Sequence, residues 1–129
     1  MFIDDLKSAI EDEYKAYYFY KSMLPLTTDP TWKDFISHAM EDEKTHYEMF
    51  QQLYYMLTGQ YVQSDFEKPV CKNLKECVKK AIGDELSAAD KYKMMLLSVP
   101  IEAGKNPLFI AMHDEIEHGI RFATIFSAL

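Results

Sequence analysis

The feature that most constrains this chain is an internal repeat, two stretches that match each other at a constant offset of 72 residues. Ala9-Ile10-Glu11-Asp12-Glu13 aligns with Ala81-Ile82-Gly83-Asp84-Glu85. Ala16, Tyr20, Lys21, Met23 and Leu24 then align with Ala88, Tyr92, Lys93, Met95 and Leu96. Further along, Asp42-Glu43-x-x-His46 meets Asp114-Glu115-x-x-His118 without a gap, and Phe50 and Leu57 meet Phe122 and Leu129. A repeated supersecondary unit implies a pseudo-two-fold arrangement in which equivalent side chains converge on one axis. The match is imperfect at the short loops: Pro30 lies 13 residues before Glu43 but Pro107 only eight before Glu115, so the second short loop absorbs the difference.

Each unit reads as two helices. Ile3, Leu6, Ile10, Tyr17, Tyr20 and Leu24 recur at spacings of three, four and seven, which is one apolar face of a helix over about 2–24. Asp29 followed by Pro30 is a helix start, and Gly59 a helix stop, for a second helix over about 30–57. Its stripe is Ile36, Ala39/Met40, Tyr47, Phe50, Leu53/Tyr54 and Leu57. Asn73 with Glu76 forms a capping box for a third helix over about 74–98. Asn106-Pro107 repeats the cap-plus-proline start for a fourth, over about 107–128. The connection from Gly59 to Lys72, ~14 residues, could span ~40 Å, the length of a bundle helix. Short loop, long crossover, short loop predicts an all-α four-helix bundle built from two antiparallel hairpins, as one domain over 1–129.

Composition agrees. Hydrophobic residues make up 48% and charged residues 27%, as in ordinary globular chains, and 4 Gly with 5 Pro are too few turn residues for a many-stranded all-β domain. Fourteen Lys+Arg against 21 Asp+Glu give a net charge of −7, which repels phosphate backbones and argues against nucleic acid as a partner. No run reaches the ~18 apolar residues of a membrane span, so no membrane partner is expected. The amino-terminal residues lack a basic, signal-like start, so the expectation is a cytoplasmic protein.

The acids are not randomly placed. Glu and His three apart share one helix face and can bind one cation. Chance predicts about 0.3 Glu-x-x-His motifs in a chain of this composition. There are two, each with its Glu 30 residues after a Glu on the preceding helix, Glu13 to Glu43 and Glu85 to Glu115. All lie on the apolar stripes, and bare buried carboxylates would each cost several kcal/mol. Two divalent cations would cancel four carboxylates, and carboxylate with imidazole suits iron or manganese. The expected arrangement has Glu13 and Glu85 as terminal ligands, Glu43 and Glu115 as bridges, and His46 and His118 on one metal each. Asp42 and Asp114 are placed to hold the imidazoles by their other N–H. Two bound ions would bring the formal charge from −7 to −3.

The order one-Glu, Glu-x-x-His, one-Glu, Glu-x-x-His resembles the rubrerythrin/bacterioferritin branch of the ferritin-like superfamily, over essentially the whole chain. The resemblance implies a ferritin-like bundle and a dinuclear centre of two iron ions, with manganese or a mixed pair as variants, that reacts with hydrogen peroxide or O2. It also implies that Tyr20 and Tyr92, seven residues after Glu13 and Glu85, hydrogen-bond metal-bound carboxylates. The third helix carries Ala88 and Ala89 where rubrerythrins have a further Glu, which brings the six-residue set closer to bacterioferritin.

The leading expectation is therefore a rubrerythrin-like oxidoreductase, acting as peroxidase or ferroxidase. Iron storage, manganese-catalase chemistry and a structural bundle that keeps its metals are the rivals. Storage is disfavoured by the absence of a fifth helix after the fourth. Cys71 and Cys77 form no Cys-x-x-Cys and are expected to be reduced thiols, so electrons must come from a separate donor such as a rubredoxin-like protein. His38 and His113 are expected to be solvated, the eight Met to fill core gaps, and Tyr14, Tyr17, Tyr18 and Phe19 to serve core and the interface of a homodimer.

Overall fold

A computed structural model describes all residues, 1–129. It has four helices: α1 (Phe2–Met23), α2 (Pro30–Thr58), α3 (Leu74–Ser98) and α4 (Lys105–Ser127). There are no strands, and no helix is long and apolar enough to cross a membrane. The helices pair as the hairpins α1/α2 and α3/α4, joined by the crossover 59–73.

Local chemistry sets most of the boundaries. The Asp29 carboxylate accepts from the N–H groups of Thr31 and Trp32 at 2.9 and 3.0 Å, with Pro30 at the first helical position, an arrangement worth about 1 kcal/mol. Gly59 closes α2 in the left-handed region (φ 77°), donating its N–H to Tyr55 O. Asn73 Oδ1 accepts from Glu76 N at 3.0 Å and starts α3. The fourth helix departs from the expected start. It begins at Lys105, running straight on from the 3-10 turn Glu102–Gly104, so Asn106 is not its cap and Pro107 sits inside the first turn. Proline is tolerated there because the first N–H groups of a helix have no partner within it.

Two clusters of buried side chains cap a polar middle. One gathers Leu6, Ile10, Phe50, Leu53, Tyr92 and Leu108. The other gathers Tyr20, Met23, Ile36, Val78, Phe122 and Ile125. Phe50 and Phe122 are 0% and 1% exposed, and each burial contributes roughly 1.5–3 kcal/mol. Of the methionines, Met23 and Met95 are core residues, whereas Met56 and Met94 are exposed, because positions 56 and 94 fall off the apolar stripes.

The crossover is fastened along its length. Gln51 clasps Val62 with two bonds, Nε2 to O at 2.8 Å and N–H to Oε1 at 2.9 Å. Tyr47 bonds Ser64, Phe66 packs edge-on against Tyr14, and Lys68 lies over the Tyr18 ring. Tyr14 and Tyr18 of α1 are thus half-buried under the crossover of their own chain.

The crossover ends in a disulfide between Cys71 and Cys77, against the expectation of reduced thiols. The turn that caps α3 at Asn73 folds Cys71 back over the helix's first turn, where Cys77 faces it.

Candidate metal centre

Between the two apolar clusters, one residue from each of α1 and α3 and two from each of α2 and α4 converge. Glu13, Glu43, His46, Glu85, Glu115 and His118 are each 0–2% exposed. They form two sets that can hold a metal ion: Glu13, Glu43, His46 and Glu115, and Glu43, Glu85, Glu115 and His118. Within each set the donor atoms lie within 4.8 Å of one another. Glu43 and Glu115 belong to both sets. Glu43 Oε1 lies 3.5 Å from His46 Nδ1 and 3.3 Å from His118 Nδ1. Glu115 Oε1 lies 3.4 and 3.2 Å from the same two atoms. Glu13 and Glu85 each approach one imidazole, at 3.4 and 3.2 Å.

The supports around the six residues cross between hairpins. His46 Nε2 donates to Asp114 Oδ2 and His118 Nε2 to Asp42 Oδ2, both at 2.7 Å. The aspartates therefore hold the histidine of the opposite hairpin, a pairing that linear spacing does not reveal. Tyr20 donates to Glu85 and Tyr92 donates to Glu13 Oε1 at 2.5 Å, again crosswise. Each imidazole is thereby turned so that Nδ1 faces inward, towards the carboxylates.

Electrostatics show what such a cluster lacks. Burial, followed by the nearby Glu43 carboxylate, pushes Glu13 up to about 8 and Glu85 up to about 7. Burial likewise raises Glu115. Burial works against charge on Glu43 as well, but the nearby imidazoles of His118 and His46 outweigh it and hold Glu43 below the ordinary range. Both imidazoles are driven well above their usual value by the surrounding carboxylates, against the opposing effect of burial. The phenols of Tyr20 and Tyr92 are raised by burial and by the carboxylates, which keeps them protonated donors. Raised carboxyl and imidazole values thus both reflect four acids crowded together in a buried space. Even so, Glu13 Oε2, Glu43 Oε1, Glu115 Oε1 and His46 Nδ1 have no hydrogen-bond partner. Buried polar atoms are rarely left unpaired, and these four all point into the same space. The donor chemistry fits a pair of hard divalent cations.

A cavity of about 430 Å³ opens onto this cluster between α1 and α3. Glu13, Glu85, Tyr20 and Tyr92 line its floor, Ala16 and Ala88 its walls, and Lys15, Lys80 and Lys91 its rim. α1 and α3 pack against each other less than α2 and α4 do, and the small Ala16 and Ala88 line the gap between them. His38 and His113 lie outside, more than half exposed and beside Asp42 and Glu117.

No family model matches the chain, and no curated protein matches it either. Solved structures do. A hypothetical protein from Pyrococcus furiosus is 24% identical, with a TM-score of 0.86 over 98% of this chain and 89% of that one. A conserved hypothetical protein from Mycobacterium tuberculosis is 11% identical, with a TM-score of 0.79 over 98% and 90%. A two-domain protein from Anabaena variabilis, with DJ-1/ThiJ/PfpI-like and ferritin-like domains, is 12% identical, with a TM-score of 0.74 over 98% of this chain and 36% of that one. These likenesses establish the fold, an all-α four-helix bundle, and one of the similar structures contains a ferritin-like domain.

Proposed function

We propose that this chain is a rubrerythrin-like dinuclear iron oxidoreductase that reduces hydrogen peroxide or O2. The observation that carries the reading is the pair of overlapping ligand sets sharing Glu43 and Glu115, with their inward atoms unpaired. Glu13 and His46 would complete one metal's ligands, and Glu85 and His118 the other's. When bound, two ferrous ions supply the two electrons that a peroxide bond needs for cleavage.

The chain's own residues do the rest. Asp114 and Asp42 fix the imidazole orientation and strengthen Nδ1 as a donor. Tyr92 and Tyr20 fix the terminal carboxylates and keep their protons beside the site. The opening between Ala16 and Ala88 admits a small oxidant, while the apolar clusters close the other sides. Electrons come ultimately from a separate donor, in the manner of a rubredoxin-like partner.

The six-residue set, with Ala88 and Ala89 on α3, also supports a bacterioferritin-like ferroxidase reading. Anaerobic loading with Fe(II), followed by stopped-flow mixing with peroxide and separately with O2, tests both. Faster iron oxidation by peroxide supports the peroxidase, and faster oxidation by O2 the ferroxidase. A chain that binds two irons and reacts with neither is a structural bundle.

A further inference from the structure

The proposed reaction leaves the disulfide between Cys71 and Cys77 unused. We infer that Cys71 and Cys77, as a dithiol, are the immediate two-electron donor to the dinuclear centre, an inference that rests on the iron reading above. Three observations support it. The sulfurs are buried, Cys71 at 4% and Cys77 at 8% exposure, in the same apolar cluster as Tyr20. Tyr20 in turn donates to Glu85, a residue of one ligand set, so a continuous packed path joins sulfur to site. Cys77 and Glu85 also lie on one helix, eight residues and hence about 12 Å apart along its axis.

A purely mechanical role is already filled. The crossover is held by Gln51 and Val62, by Tyr47 and Ser64, and by the bond from Cys71 N to Ser22 Oγ at 2.7 Å. The disulfide adds a restraint spanning only six residues. Its electron count, by contrast, matches the need. The dithiol would lose two S–H bonds and form one S–S bond, releasing two protons to solvent and two electrons, the number needed to return two ferric ions, were they bound, to the ferrous state. An external dithiol or equivalent two-electron reductant reopens the disulfide. The second hairpin's counterpart of Tyr20, Tyr92, sits in a cluster with no cysteine, so the relay enters from one side only.

The test uses the full chain, reduced anaerobically to two alkylatable thiols, freed of reductant, and loaded with Fe(II) or with redox-inert Zn(II). Hydrogen peroxide is then titrated in, and thiols are counted by alkylation and mass. The Fe(II) form is expected to take up two equivalents of peroxide per chain and to lose both thiols at least about tenfold faster than the Zn(II) form. The Cys71→Ser/Cys77→Ser chain, shown by metal content to bind two irons, is expected to take up one equivalent and stay ferric. Equal thiol loss with either metal, or two equivalents consumed by the double variant, would overturn the relay alone. Fewer than two irons bound by the wild-type chain would overturn the iron reading and the relay with it.

Discussion

The two hairpins agree on the inside and disagree on the outside. Facing the bundle axis, Glu13 and Glu85, Glu43 and Glu115, His46 and His118, Tyr20 and Tyr92, and Phe50 and Phe122 occupy equivalent, buried places. On the outer faces the same offset pairs Tyr14 with Leu86, Lys44 with Ile116 and Glu48 with Ile120. The crossover covers Tyr14 and Tyr47 on the first hairpin, whereas Leu86, Ile116 and Ile120 on the second are 49%, 43% and 63% exposed. The two-fold is thus held by the ligand cluster and released where the chain has to pass from one hairpin to the other.

If the inner symmetry is one of chemistry, the shared residues should matter twice as much as the unshared ones. Glu43→Ala or Glu115→Ala removes a donor from both sets, and each is expected to lower bound metal from two ions per chain towards none, read by elemental analysis. Glu13→Ala or Glu85→Ala removes a donor from one set and should leave about one ion. Loss of a single ion from Glu43→Ala would break the assignment of bridges.

The metal-free protein gives the next largest effect. Glu13 and Glu85 have folded-state values of about 8 and about 7 against an ordinary 4.5, so the folded state holds extra protons between those limits. The raised imidazoles add to this above their usual 6.5. Stability of the metal-free chain should therefore fall as pH rises from 5 to 8, by about 1.4 kcal/mol per pH unit for each extra proton held. Thermal unfolding at several pH values measures it. Metal displaces those protons, so the loaded chain should lose this dependence and bind metal more tightly as pH rises. A metal-free chain that gained stability over that interval would show the acids to be already neutralised in some other way.

Smaller effects test the crossing of supports. Asp114→Asn should weaken the ion held by His46 and spare the one held by His118, with Asp42→Asn doing the reverse, each by about 10–100-fold in affinity. Smallest of all, Ile120→Gln on the outer face of α4 should change stability by no more than about 0.5 kcal/mol and leave metal content at two.

The helices, the crossover and the six inward residues were legible because each rests on local chemistry or on periodicity. Asp29, Gly59 and Asn73 declare their boundaries, and the stripes place Glu13 and His46 on the buried face. The start of α4 was misread because Gly104 and a 3-10 turn carried the chain into the helix ahead of the Asn106-Pro107 signal. The crossed bonds, His46 to Asp114 and Tyr20 to Glu85, depend on how two hairpins interlock, and spacing within one helix holds no information about that. Cys71 and Cys77 were misread for a related reason. The absence of a Cys-x-x-Cys motif said nothing of the turn at Asn73 that brings the two together.

The proposed function stands or falls on whether six residues hold two metals side by side. Anomalous diffraction from crystals of the chain loaded with Fe(II) under anaerobic conditions measures it directly. The account predicts two iron peaks between the hairpins, both within bonding distance of Glu43 and Glu115, one joined by Glu13 and His46 and the other by Glu85 and His118. A single peak, or iron found only at the outer group of His113, Asp114 and Glu117, would contradict it.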